Sequence, residues 1–162
     1  MHISIQEKIA RDYQEAANVV KNWQQQGYDV VFTNGCFDLL HKGHILYLQE
    51  ASQNGDKLIV AINADKSVSK LKGKHRPIKD EDNRSQIMAA LAFVDLVVVF
   101  HEETPLELIQ MITPDILVKG GDWKPHQIVG SEHVLNHGGE VLSLQFVEGY
   151  STTALEEKIK KA

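Results

Sequence analysis

His41-Lys42-Gly43-His44 sets two imidazoles three residues apart, a spacing that on a helical turn brings both rings to one face. Gly43 between them carries no side chain to block a ligand's approach. Two rings so placed can reach one phosphate; a pair of partly buried structural histidines and half of a zinc site are the competing meanings of the same spacing. Context favours phosphate. The motif closes the loop Thr33-Asn34-Gly35-Cys36-Phe37-Asp38-Leu39-Leu40, which leaves an apolar strand and runs straight into a helix, so backbone N–H groups and the positive end of a helix dipole are offered to an anion. Gly-x-x-x-x-Gly-Lys-Ser/Thr and Gly-x-Gly-x-x-Gly are both absent, which argues against a P-loop nucleotidase and a dinucleotide oxidoreductase. Cys36 has no evident partner base and reads as a small residue in a tight phosphate loop, not as a nucleophile.

Three further segments carry chemistry. Between Lys66 and Arg84 stand Lys66, Lys70, Lys72, Lys74, Arg76, Lys79 and Arg84, seven of the 17 cationic residues, in a chain whose formal net charge is -5. Such concentration suggests an anion clamp, with a solvated basic loop as the plainer meaning. The overall acidity argues against a general nucleic-acid binder, whose affinity rests on many neutralised phosphates. Val118-Lys119-Gly120-Gly121-Asp122-Trp123 suggests close backbone approach to a ligand, with Asp122 bonded to a purine or sugar; a plain glycine turn is the alternative. Glu148-Gly149-Tyr150-Ser151-Thr152-Thr153 presents three hydroxyls at a helix start, where Thr153 and Glu156 also fit a capping box. His126, His133 and His137 match no standard metal spacing and read as surface histidines on a helix.

The elements that must position these residues alternate. Apolar positions from Ile5 to Trp23 predict a first helix over 5–26 that Gly27 closes. Strands are predicted over 29–34, 57–62, 95–100, 115–118 and 140–146, and helices over 44–54, 82–92, from a Thr104 cap to before Pro114, over 132–136, and from Thr153. The basic segment and residues 119–131 read as loops. Five apolar strands separated by helices imply a mostly parallel sheet covered on both faces, an α/β, Rossmann-like three-layer sandwich. Ligands then sit beyond the carboxyl ends of the strands. At 162 residues with 43% hydrophobic content, a single self-folding domain is expected. A lone cysteine, no signal-like apolar core at the N-terminus and no membrane-length apolar run lead to a cytoplasmic expectation.

With His-x-Gly-His early and Ser-Thr-Thr at the last helix, the chain resembles the cytidylyltransferase-like nucleotidyltransferases. Asn34-Gly35-Cys36-Phe37-Asp38, Leu71-Lys72-Gly73 with Arg76-Pro77, Val118 to Asp122 and Gly149 to Thr153 look like the D-glycero-β-D-manno-heptose 1-phosphate adenylyltransferases, over about residues 28–161. The resemblance implies transfer of AMP from ATP to the heptose 1-phosphate, giving ADP-heptose and pyrophosphate for lipopolysaccharide or surface glycan. It implies a stand-alone form without the sugar-kinase half found in many bacteria, with a nucleotidyltransferase domain over 28–162; the helix expected over 1–27 rests on its apolar spacing and lies outside the motifs of the resemblance. Mg2+ is expected to be held mainly by ATP phosphates, with no protein ligand assigned. Expected partners are ATP, a sugar 1-phosphate and a second copy in a homodimer, with neither nucleic acid nor membrane. A cytidylyltransferase acting on glycerol 3-phosphate or a phosphorylated amino alcohol is the nearest alternative; a nucleotide-binding sensor without turnover is the other.

The chemistry also has its own logic. A sugar 1-phosphate is substantially dianionic at neutral pH, with a second pKa of about 6, so its oxygen needs no general base. Catalysis then amounts to aligning two anions and stabilising the developing charge. His41, His44 and Lys72 are the expected catalytic groups. Asn34, Gly35, Cys36, Phe37, Gly43, Asp122, Ser151, Thr152 and Thr153 are expected at the nucleotide, and Lys72, Arg84 and Lys119 at the phosphates or the sugar substrate.

Overall fold

A computed structural model describes residues 2–162. Strands β1 (Val30–Gly35), β2 (Lys57–Asn63), β3 (Leu96–Phe100), β4 (Ile116–Gly120) and β5 (Glu140–Leu144) form one sheet in the order β3-β2-β1-β4-β5. Every pairing is parallel, with Phe32 opposite Ile59 on one side of β1 and Leu117 on the other. Strands buried on both faces cannot alternate polar and apolar residues, and β2 and β3 read as near-continuous Val, Ile and Leu, whereas edge strand β5 buries only Val141. Aspartates at the amino ends begin two of them: Asp115 accepts the Val30 N–H at 2.9 Å, and Asp95 the Leu58 N–H at 2.8 Å.

Alternate side chains face opposite layers. Val30, Phe32, Ile59, Ala61, Val98 and Phe100 pack with α1 (Tyr13–Gln25), α5 (Leu106–Ile112) and α6 (Ser131–Asn136). Val31, Leu58, Val60, Ile62 and Val97 pack on the other face with α2 (Lys42–Ser52) and α4 (Glu81–Ala89). The expected three-layer, Rossmann-like single domain is therefore what forms. Two further helices, α3 (Asp65–Lys72) and α7 (Thr152–Lys161), lie beyond the carboxyl ends of β2 and β5. Among the described residues no helix is long and apolar enough to cross a membrane.

Several boundaries differ from the sequence reading. The first helix breaks in two: a short 3-10 turn, Ile5–Lys8, precedes an edge contact in which Ala10 N–H donates to Val97 O at 2.9 Å, and Asp12 then caps α1. Gly27, at φ 87°, does follow the end of α1 in the left-handed conformation that ends helices. The first part of the supposed basic loop is helix α3, whose buried residues are only Ser67 and Val68, too little apolar surface to register as periodicity. Pro105, not Thr104, caps α5. β5 stops at Leu144, which leaves Phe146 in a loop. Ser151, not Thr153, caps α7 by accepting the Ala154 N–H at 3.0 Å.

Candidate active site

The sheet order reverses between β1 and β4, since β1 leads outward to β2 and β3 while β4 leads to β5. In open parallel sheets such a switch leaves a crevice at the carboxyl ends. Three connected chambers occupy it. The central one, about 170 Å³, is lined by Gly35, His44, Tyr47, Lys72, Lys119 and Phe146 among others. A second, about 220 Å³, adjoins it through His44, Phe146 and Thr152 and reaches His41, Tyr150 and Ser151. A third, about 250 Å³, adjoins through Asn34, Gly35, Cys36 and Lys119 and reaches Asn63, Glu103, Thr104 and Val129.

The two histidines begin α2. His41 is its N-cap, with Nδ1 accepting the Gly43 N–H at 3.1 Å, and His44 Nδ1 accepts the His41 N–H at 3.2 Å. The rings lie 3.9 Å apart between centroids, tilted by 31°. Because each Nδ1 is an acceptor, a neutral ring must carry its proton on Nε2, so each histidine offers a donor at its far edge. Burial lowers the pKa of His41; burial, then His41 and Lys72, bring His44 down to about 4. Both rings are therefore neutral donors near pH 7. The reason for Gly43 is sharper than ligand access: a Cβ there would lie 2.9 Å from the His41 ring and 2.9 Å from Tyr150 Cβ. Glycine lets the His41 ring fold back over its own helix.

The loop before them is held from beneath. Phe37 takes a left-handed φ of 49°, uncommon for a residue with a side chain. Its buried ring fills the space where a Cβ on Gly35 would come within 2.8 Å of it, and it meets the His44 ring edge-on at 5.7 Å. Asp38 has a fully buried carboxylate that accepts from Arg76 Nε at 2.7 Å, Ile78 N–H at 2.7 Å and Lys79 N–H at 2.8 Å. Burial alone would raise its pKa; these donors outweigh burial and hold it below the ordinary carboxylate value. The thiol of Cys36 is pushed up by burial against the pull of Lys72 and Arg84, which leaves it protonated, 3.6 Å from Asn63 Oδ1.

Of the residues singled out by sequence, the crevice gathers Asn34, Gly35, Cys36, Phe37, His41, Gly43, His44, Lys72, Lys119, Ser151 and Thr152. Burial lowers the Lys119 pKa. Arg84, expected at a phosphate, lies elsewhere. It is fully buried, with Nη1 bonded to Cys36 O at 2.9 Å and Asn63 O at 2.7 Å, Nε to Lys79 O at 2.9 Å, and Nη2 to Asp65 at 2.7 Å. It braces the ends of β1 and β2 from behind. Asp122 and Thr153 are exposed and line none of the chambers. Trp123 turns back to bond Gly120 O at 3.0 Å and Ser143 at 3.2 Å, a turn that leaves Asp122 outside.

Sequence reasoning missed Asp38, Tyr47, Asn63, Glu103 and Phe146. Asp38 stands in the Asn34 to Asp38 motif and is an acid inside the apolar run Phe37 to Leu40, yet the sequence reading assigns it no role; the others sit at spacings that reveal nothing. Tyr47 bonds Thr33 at 2.6 Å, and burial raises it to about 12, which keeps it a neutral hydroxyl. Phe146 lies over the end of β4, where a Cβ on Gly120 would come within 2.7 Å of its ring. His133, one of the three histidines grouped by sequence as His126, His133 and His137, bonds Thr113 at 2.8 Å, and no group of three or more His, Cys, Asp or Glu side chains placed to hold a metal forms among the described residues.

Comparison with known proteins agrees with this geometry. A family model described as cytidylyltransferase-like matches residues 32–158. The chain is 50% identical over 149 residues, 92% of its length, to the bifunctional protein HldE of Gluconobacter oxydans. It is 53% identical over 148 residues, 91% of its length, to that of Hydrogenovibrio crunogenus. It spans only 31% of the length of each. Among solved structures, a lipopolysaccharide core biosynthesis protein from Thermoplasma volcanium superposes with a TM-score of 0.62 at 32% identity, over 77% of this chain and all of that one. Pantothenate synthetase from Thermus thermophilus shares the fold at a TM-score of 0.62 and 16% identity, over 96% of this chain and 70% of that one. The chain is a nucleotidyltransferase and belongs to the cytidylyltransferase-like family.

Proposed function

We propose that this chain transfers AMP from ATP to D-glycero-β-D-manno-heptose 1-phosphate in the cytoplasm, giving ADP-heptose and pyrophosphate for lipopolysaccharide or surface-glycan assembly. The observation that carries the reading is the pair of Nδ1-capped imidazoles, two neutral Nε2 donors at the edge of one crevice. An oxygen of the sugar phosphate attacks the α-phosphorus, the bond from that phosphorus to the bridging oxygen breaks, and pyrophosphate leaves. His41 and His44 donate to the phosphoryl oxygens as charge builds on them, and Lys72 neutralises the same region. Neither ring is placed as a general base, because Nδ1 is already engaged and Nε2 already protonated. The hydroxyls of Ser151 and Thr152 supplement them on the far side.

The third chamber suits the acceptor. Asn34, Asn63, Glu103 and Thr104 give it amide, carboxylate and hydroxyl groups that match a ring of hydroxyls, and Lys119 between the chambers would meet the sugar's phosphate. Identity of about 50% to two bifunctional HldE proteins supports the heptose assignment. Magnesium would arrive on the triphosphate and neutralise it. The only carboxylate lining the central chamber among the described residues, Asp38, is committed to Arg76, Ile78 and Lys79, so the fit is to a metal held by nucleotide oxygens and water.

Incubation of the protein with ATP or CTP, Mg2+ and a panel of phosphorylated acceptors, read by mass spectrometry, tests this. The panel contains the heptose 1-phosphate, other sugar 1-phosphates and glycerol 3-phosphate. ADP-heptose is the expected product. Preference for CTP or for glycerol 3-phosphate would replace the assignment, and binding of ATP without pyrophosphate release would make the chain a sensor.

A further inference from the structure

The N-terminal turn of α7 carries Ser151 and Thr152 into the crevice, yet α7 is the least anchored helix beside it. It has no buried residue. The basic segment reaches it through one ion pair, Arg76 Nη1 to Glu156 Oε2, at 3.2 Å. The other end of that link is firm. Arg76 is 8% exposed, its Nε meets the fully buried Asp38 carboxylate at 2.7 Å, and Asp38 also accepts two backbone N–H groups. Lys79 Nζ adds a bond to Asp38 O at 2.9 Å. One atom stands out: Arg76 Nη2 is the buried side-chain polar atom left without a partner among the described residues. Native structures rarely leave such donors unmet. Glu156 meanwhile spends its second oxygen on Lys160, at 3.4 Å and in the open, a kind of pair that contributes little.

We propose that Arg76 and Glu156 form a latch. When nucleotide binds, Glu156 exchanges Lys160 for Arg76 Nη2, the single bond becomes a two-pronged fork, and the N-terminal turn of α7 is drawn onto the triphosphate. The inference rests on the adenylyl-transfer reading for the identity of the nucleotide. Asp38 is the fixed point, and its neighbours in sequence lead to His41, so the two halves of the phosphate site share one buried carboxylate. A fork is the geometry in which arginine and carboxylate pair most strongly, and a lysine cannot form it. Movement belongs to α7, because Arg76 is held from beneath and α7 is not. Arg76 and Glu156 are positioning residues: they act through Ser151 and Thr152.

Hydrogen exchange read by mass spectrometry on the full chain, with and without ATP and Mg2+, tests the latch together with pyrophosphate-exchange kinetics. Saturating ATP should slow exchange of residues 152–161 about tenfold in the wild type, the scale of an ordinary coupling between sites. Glu156→Ala should abolish that slowing. It should also raise KM for ATP about tenfold while changing kcat by less than about threefold. Glu156→Gln, which keeps the shape and loses the charge, should fall between, and Arg76→Lys should resemble Glu156→Ala because charge without a fork is not enough. Equal ATP protection of α7 in the wild type and Glu156→Ala would overturn the latch, and so would an unchanged KM. A loss confined to kcat would also overturn it. Failure of the wild type to bind ATP would count against the nucleotide reading instead. The unliganded arm still decides the latch in that case: Glu156→Ala must speed α7 exchange with the sheet unmoved, and no change there sinks it.

Discussion

Lys72 and Arg84 belong to the same basic stretch of sequence and end on opposite sides of the same wall. Lys72 lines the central chamber within reach of His44 and Cys36. Arg84 is sealed behind it, bonding three backbone carbonyls and Asp65. Arg76 joins Arg84 in the interior. The difference follows from the side chains: the guanidinium has five donors in a rigid plane and can satisfy several carbonyls at strand ends, whereas an ammonium on a flexible stem suits a mobile anion. Charge clustering drew attention to the segment, and residue type separates the side chain sealed behind the crevice from the one that lines it.

Removing the pillar should do the most. Arg84→Ala leaves Asp65 and the Cys36, Asn63 and Lys79 carbonyls without a buried partner, for an expected loss of about 3–5 kcal/mol of stability. Thermal melts would show it, and Arg84→Lys should recover little. A melt within a degree or so of the wild type would mean that the arginine is not a pillar. On the facing side, His44→Ala should lower turnover about a hundred- to a thousandfold, the scale of one lost preorganised donor. The fold should survive, and near-normal turnover would remove His44 from the chemistry. Lys72→Ala should reduce kcat/KM about ten- to a hundredfold with an unchanged melting temperature. If Lys72→Ala instead melted early with its kinetics intact, the contrast with Arg84 would be reversed.

The smallest expected effect is a pH dependence. His44 titrates near 6.5 in its ordinary state and about 4 in the folded chain. Between those values the unfolded chain holds a proton that the folded chain refuses, so stability is full above pH 6.5 and declines as pH falls toward 4. His44→Gln should lack that component, and melting curves of the two proteins that stay parallel across the window would contradict it. For the same reason His44 should add no ionisation near the ordinary histidine value to the kcat/KM profile, which should show there only the second ionisation of the sugar phosphate, at about 6.

Strands β1 to β4 were legible because burial on both faces demands short apolar, β-branched runs, and β5 because its apolar residues follow a glycine pair. Helix α3 was hidden because Ser67 and Val68 are all it buries, and a helix of Lys and Ser does not announce a face. The loop at the crevice could be picked out because a glycine turn, a strand end and a helix start coincide around Gly35 and His41. Asn63 and Phe146 could not, since each matters by standing at the end of a strand whose neighbours in space are distant in sequence. Asp122 and Thr153 show the converse: a motif brings along residues whose side chains the local turn sends outward.

The capping role of the histidines also gives the protein engineer a handle. Alanine at position 41 would remove the Nε2 donor and unfasten the first turn of α2 together, since Nδ1 is what holds the Gly43 N–H. Asparagine caps a helix well, and its short carboxamide can take that N–H without reaching as far as an imidazole. His41→Asn is thus the route to an inert but intact scaffold, able to trap both substrates side by side for crystallography before any bond is exchanged.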